Sequence, residues 1–185
     1  MRAVLLLGLW LGCAFGAAAD GSAPSRVPAL AVARAEAYFT PGDDVARIIA
    51  DLISGARHTV QVEAYLFTHR RIAAALAKAA RRGVTVDLVG DARQHEAGGL
   101  PVLRQLDRAG VRIWLNGDYA AFHNKVVLVD ADTPDSVVVT GSYNFTQAAQ
   151  ERNAENIVVI TGNPALAARF ARDFDRHRAQ ARRLQ

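Results

Sequence analysis

A chain of 185 residues can bury one sizeable core and is too short for two domains of ordinary size. With 51% hydrophobic and 22% charged residues it lies in the ordinary globular range, which excludes a disordered chain and a fibrous repeat. A formal charge of +4 favours an anionic partner, nucleic acid or anionic lipid, through long-range steering, and does not choose between them.

In chain order, Arg2 is followed by an apolar run from Ala3 to Phe15, and Ala17-Ala18-Ala19 precede Asp20. This is the pattern of a signal peptide with an A-x-A cleavage site, so residues 1–19 are expected to be removed on export to the periplasm or the exterior. The run of 13 residues falls short of the roughly 20 that a spanning helix needs. Cys13 is the only cysteine, and Trp10 and Leu11 suit a lipidation signal poorly, so the exported chain is expected to carry neither disulfide nor thiolate. Residues 20–32, with Gly, Ser and Pro between Gly21 and Pro28, read as a flexible linker, and the domain is placed at 33–185.

Within the domain, Ala35 to Phe39 reads as a strand. Asp43 or Asp44 then caps a helix to about Ala56 whose apolar stripe is Val45, Ile48, Ile49 and Leu52. His58 to Phe67 is β-rich, an Ala-rich helix runs from Arg70 to Arg82 and stops at Gly83, and Val84 to Val89 is a strand. A helix within Gly98 to Gly110 and a strand from Val111 to Leu115 continue the strand-helix alternation. The second half is different: strands near Asn124 to Val129 and Ser136 to Thr140 flank a hairpin loop with Pro134, Ala154 to Ile160 follows, and a last helix starts at Pro164. The expected fold is α/β, a mixed sheet with helices on both faces.

The chemistry gathers in Phe122-His123-Asn124-Lys125, Asp130 and Gly141-Ser142-Tyr143-Asn144. On a strand, His123 and Lys125 are two apart and share a face, which puts a nucleophile and a cation in one pocket. Lys125 is one of two lysines beside 20 arginines, so its ammonium suits a single phosphoryl oxygen where a planar guanidinium would crowd the attacking ring. Ser142 and Asn144 repeat the two-residue spacing after a Gly turn and can aim donors at the same phosphate. Asp130 falls on the opposite face and is expected to act in support, by hydrogen bonds that fix the strand or loop.

His123-x-Lys125, Asp130 and Gly141-Ser142-x-Asn144 together resemble the signature of the phospholipase D superfamily. Glu63 to Thr68, Arg82 to Val86, Thr146 to Ala149 and Asn153 to Asn156 are similar to segments of its small secreted bacterial nucleases. The resemblance implies a phospholipase D-like single domain with one signature per chain and therefore a homodimer that completes the site. It also implies that His123 of one subunit forms a phosphohistidine while the second copy protonates the leaving oxygen. Glu155, which matches a family acid, is expected to orient the His123 ring.

The expected activity is a metal-independent endonuclease acting on DNA, and on RNA by the same backbone chemistry. Two other readings stand beside it: a phospholipase D acting on phosphatidyl lipids, and a non-catalytic nucleic-acid-binding module. Neither cofactor nor metal is expected, since Asp130, Asp132 and Asp135 lack the calcium-loop pattern and His95-Glu96 lacks the second histidine of a zinc helix. The chain shows no amphipathic membrane helix, so stable membrane insertion is not expected. Arg93 and His95 are placed in a loop after a strand as further substrate contacts, whereas His58, His69 and His177 read as surface or capping residues.

Overall fold

The computed structural model describes residues 34–184. The signal peptide and the linker expected at 1–19 and 20–32 lie outside them. Among the described residues, eight strands, numbered in chain order, form one mixed sheet in the order β1-β7-β6-β5-β2-β3-β4-β8. Strands β2 (Thr59–Ala64), β3 (Thr85–Asp91) and β4 (Arg112–Asn116) run parallel, as their helical connections demand. Strands β5 (Lys125–Val129), β6 (Val137–Gly141), β7 (Glu155–Thr161) and β1 (Arg34–Thr40) add antiparallel neighbours, and the short β8 (Arg182–Arg183) closes the other edge.

Alternation along β5 explains why helices cover both faces. Val127 and Val129 enter the main core with α1 (Val45–Ser54), α2 (Arg70–Arg81) and α4 (Leu100–Arg108). Val126 and Leu128 face the other way, onto Ala167 and Phe170 of α6 (Pro164–Gln180). A strand buried on both sides reads as a continuous apolar run, as Val126 to Val129 does. The ends of the helices follow local rules: the Asp44 side chain accepts from the Arg47 N–H at the start of α1, and Asn163 accepts from Leu166 at the start of α6.

One connection differs from the expected loop. After β3 the chain turns at once into a short helix, α3 (Ala92–Gln94), a π-helical turn (His95–Gly99) and then α4. Asp91 caps α3 by accepting from Gln94 N–H at 2.8 Å. The His95 ring is buried between Gly90 and Gly99, where an added Cβ would come within 2.7 and 2.5 Å of the ring. Sequence periodicity carries no sign of this turn, because Gly98 and Gly99 lower helix propensity, and Gly99, with Gly90 of β3, serves to admit the ring.

Candidate active site

The strand directions place the end of β2, the start of β5, the end of β6 and the start of β7 at one end of the sheet. The parallel strands β2 and β3 finish at the same end, the usual side for ligands in α/β sheets. The signature residues other than Asp130 lie at this end. Lys125 opens β5, and His123 lies two residues before it, just outside the strand.

Tyr65 joins the two side chains. Its ring centroid is 4.5 Å from that of the exposed His123, and the Lys125 Nζ lies 5.0 Å from it. The ammonium also donates to the His123 carbonyl at 2.6 Å, so nucleophile candidate and cation share one small platform. Lys125 is only 7% exposed; burial lowers its pKa, and the negative charge of Glu155 works against that shift.

Gly141 brings β6 close enough to β7 for the rest of the site to form. A Cβ there would stand 2.2 Å from the Asn156 carbonyl oxygen, the oxygen that accepts from the Ser142 N–H at 3.1 Å. The Ser142 hydroxyl accepts in turn from the Asn156 N–H. Asn144 lies one residue before Phe145, whose carbonyl accepts from the Thr68 and His69 N–H groups just beyond Tyr65. The Asn144 Oδ1 is buried without a partner, the condition of a polar group that a ligand satisfies.

Two expected roles change. Glu155 accepts from the Asn153 amide at 3.0 Å, and no hydrogen bond joins it to His123 among the described residues, so it does not orient the ring of its own chain. His95 is closed off from solvent: Nε2 accepts from the Phe67 N–H at 3.1 Å and Nδ1 meets the Asp91 carbonyl at 2.7 Å. Burial lowers its pKa, in keeping with a neutral ring donating through Nδ1. It braces the site from below and touches no substrate. Arg93 lies in α3 rather than a loop, and its guanidinium is exposed and donates to the Ala120 carbonyl at 2.8 Å, pinning the segment that leads to His123.

Asp130 lies at the far end of β5, roughly 15 Å from Lys125 at the usual rise per residue. Its carboxylate accepts from the Arg57, His58 and Thr59 N–H groups at 2.8 to 2.9 Å, tying the end of β5 to the start of β2. Burial pulls its pKa upward, and the three backbone donors outweigh that and hold it below the usual carboxylate range. Its φ of +47° is one that aspartate tolerates better than most residues.

Sequence reasoning missed a buried cluster beside His123. His177 was expected at the surface, yet it is 5% exposed and donates from Nδ1 to Glu63 at 2.7 Å. The other Glu63 oxygen accepts from the Asn124 amide at 2.7 Å. Burial raises the pKa of Glu63, and the bonds from His177 and Asn124 oppose that rise. His69 is likewise buried, at the first residue before α2, with no cap bond from its side chain. The signal available in the sequence was an acid, Glu63, between Val62 and Ala64 in a strand-like run; its partner 114 residues away was not legible.

Tyr119, Phe122, His123, Asn124, Arg176 and His177 border a shallow cleft of about 270 Å³. A larger one of about 470 Å³, between α2 and α4, holds no nucleophile or acid-base pair. Glu63, Asp173 and His177 each offer one ligand atom within 4.8 Å of the others, but their hydrogen bonds already occupy Nδ1 and both Glu63 oxygens. No helix among the described residues is long and apolar enough to cross a membrane.

A mixed sheet with helices on both faces, carrying His, Lys, Ser and Asn at one end, is the architecture of the phospholipase D-like phosphodiesterases. The family described as "Cardiolipin synthase, PLD-like domain" matches residues 49–178, and the chain belongs to the phospholipase D-like family. It is 36% identical over 135 residues to a "Phospholipase D" of Rickettsia bellii, covering 73% of this chain and 65% of the relative. Over 130 residues it is 30% identical to the "Mitochondrial cardiolipin hydrolase" of Xenopus laevis, covering 70% of this chain and 59% of the relative. The chain thus spans less than two thirds of the length of these curated relatives. Among solved structures it is similar to Nuc of Salmonella typhimurium, a phospholipase D family member, with a TM-score of 0.77 and 29% identity, covering 83% of this chain and 99% of that one. NucT of Helicobacter pylori shares the fold with a TM-score of 0.73 and 22% identity, covering 82% and 99%.

Proposed function

We propose that the chain is a periplasmic or secreted, metal-independent phosphodiesterase that cleaves DNA, and RNA by the same backbone chemistry, at a site shared by two copies. The observation that carries this reading is the packing of His123 and Lys125 on one tyrosine, at the end of the sheet where Ser142 and Asn144 follow β6. In the first step a His123 nitrogen forms a bond to phosphorus as the bond to the leaving oxygen breaks, and the second copy's imidazolium gives that oxygen its proton. Water then attacks the phosphohistidine, the second imidazole takes the water's proton, and the nitrogen–phosphorus bond breaks. Lys125 and Asn144 face the charge on the non-bridging oxygens, and Ser142 assists with a hydrogen bond. Because no hydrogen bond joins Glu155 to an imidazole among the described residues, its orienting task is assigned to the ring that the second chain brings.

Nucleic acid is favoured over lipid by the shallow cleft beside His123 and the similarity to Nuc over 99% of that chain. The names of the curated relatives favour the second reading, hydrolysis of phosphatidyl lipids. The deciding experiment incubates purified residues 20–185 with plasmid DNA, RNA, and cardiolipin or phosphatidylcholine vesicles in excess EDTA. Nicking and linearisation of the plasmid are expected, falling steeply with added salt because contacts run to the phosphate backbone. Lipid turnover without DNA cleavage reverses the assignment, and turnover of nothing overturns catalysis.

A further inference from the structure

His123 lies two residues before β5, so no sheet hydrogen bonds fix it. Its neighbours are fixed instead. The Phe122 N–H donates to the Asp91 carboxylate at 2.8 Å. The Asn124 carbonyl accepts from the Tyr65 N–H at 3.0 Å, and the Asn124 amide donates to Glu63 at 2.7 Å. Glu63 is 3% exposed and is itself held by His177, whose ring meets Phe122 edge-on with centroids 5.1 Å apart. The cluster also fixes the tautomer of His177. An arginine can only donate, so the contact between Arg176 Nη2 and His177 Nε2 at 3.3 Å makes Nε2 the acceptor and leaves the proton on Nδ1, pointing at Glu63.

We propose that Glu63, locked by His177 on the last helix, positions the His123 imidazole for attack by gripping the adjacent Asn124. This rests on the phosphodiesterase reading and adds to it a chain of residues outside the signature, linking α6 to the nucleophile through β2. An ion is not required to explain the cluster, since Glu63 Oε1, Glu63 Oε2 and His177 Nδ1 are all engaged.

The test compares wild type with Glu63→Gln, Glu63→Leu, Asn124→Ala and the Glu63→Leu/Asn124→Ala double variant, on an activated small phosphodiester and on plasmid DNA. Glu63→Leu is expected to lower kcat about 10- to 100-fold with KM within about threefold, the signature of lost orientation rather than lost binding. Asn124→Ala, which leaves the Glu63–His177 bond intact, is expected to lose as much. The double variant should lose no more than either single one, because both act through one contact. Glu63→Gln is expected to restore most of kcat, since a turned Asn124 amide lets the glutamine accept from His177 and donate to Asn124.

Additive losses, an unchanged kcat in folded Asn124→Ala, or a Glu63→Gln as poor as the leucine variant overturn the proposal. So does uptake of one zinc ion per chain that Glu63→Gln abolishes, which makes the cluster a metal centre. If Glu63→Leu does not fold, Asn124→Ala and Glu63→Gln decide alone. If the wild type hydrolyses nothing, the functional reading fails separately; the ring signals of His123 in proton–nitrogen NMR spectra then decide the positioning, and they are expected to shift in Asn124→Ala and stay in Glu63→Gln.

Discussion

At the scale of single residues, the ammonium of Lys125 is costly where it stands. Its side chain is nearly enclosed, its pKa is lowered by that burial, and its surroundings offer one carbonyl and one aromatic face rather than a carboxylate hydrogen bond. Folding alone does not call for such a residue, and a protein that keeps it trades stability for function. Lys125→Met, which keeps the length and drops the charge, is therefore expected to hold or raise the melting temperature while kcat falls by about 100-fold or more. Lys125→Arg is expected to fail as well, because a planar guanidinium cannot fit between the Tyr65 ring and the His123 carbonyl without moving one of them. Thermal melts and kcat measured on the same preparations check both; an arginine variant as fast as wild type removes the geometric argument for lysine.

At the scale of elements, Asp130 shows how a signature residue serves the site from a distance. Three backbone N–H groups at the start of β2 converge on it, and they fix the register of the β2–β5 pair, beyond whose other end the Tyr65 ring packs against His123 and Lys125. Asp130→Ala leaves three donors unpaired and is expected to cost about 3 kcal/mol, lowering the melting temperature by roughly 10 °C in a domain of this size. Asp130→Asn, with one accepting oxygen and the same tolerance of positive φ, should fall between. The sign with pH follows from a carboxyl held below its unfolded value: its contribution is complete above the ordinary carboxylate range and disappears as pH falls through the lowered value. The difference in stability between wild type and Asp130→Ala should therefore shrink in acid, and a constant difference from neutral to strongly acidic pH counts against this role. Asp130 was legible in the sequence because strand alternation placed it away from Lys125. The elements were legible for the same reason: Val126 to Val129, the Ala-rich stripe of α2 and the Asp44 cap each follow a local rule. The π-helical turn at His95 and the Glu63–His177 pair were not, since a buried imidazole between two glycines and a bond across 114 residues depend on tertiary packing that no local period encodes.

At the scale of the whole molecule, one chain supplies one exposed imidazole at the signature end of the sheet, that of His123, and the proposed reaction needs two, a nucleophile and an acid in different protonation states at the same moment. A two-fold axis through the site meets that need with a single sequence, because an isologous interface brings the same residue from both sides. This arrangement makes an arithmetic prediction that a self-sufficient chain does not share. Wild-type and His123→Ala chains, carrying different tags and refolded together in equal amounts, should then form three kinds of dimer. Only the wild-type pair holds two histidines, so activity should fall to about a quarter of that of the same total of wild type, following the square of the wild-type fraction as the ratio is varied. A chain that acts alone should retain about half and follow the fraction linearly. His123 is exposed and outside the sheet, so the alanine variant is expected to fold and exchange normally, which tag pull-down of the mixed dimer verifies. A linear dependence in a mixture shown to contain mixed dimers would remove the shared site and, with it, the second histidine as the acid.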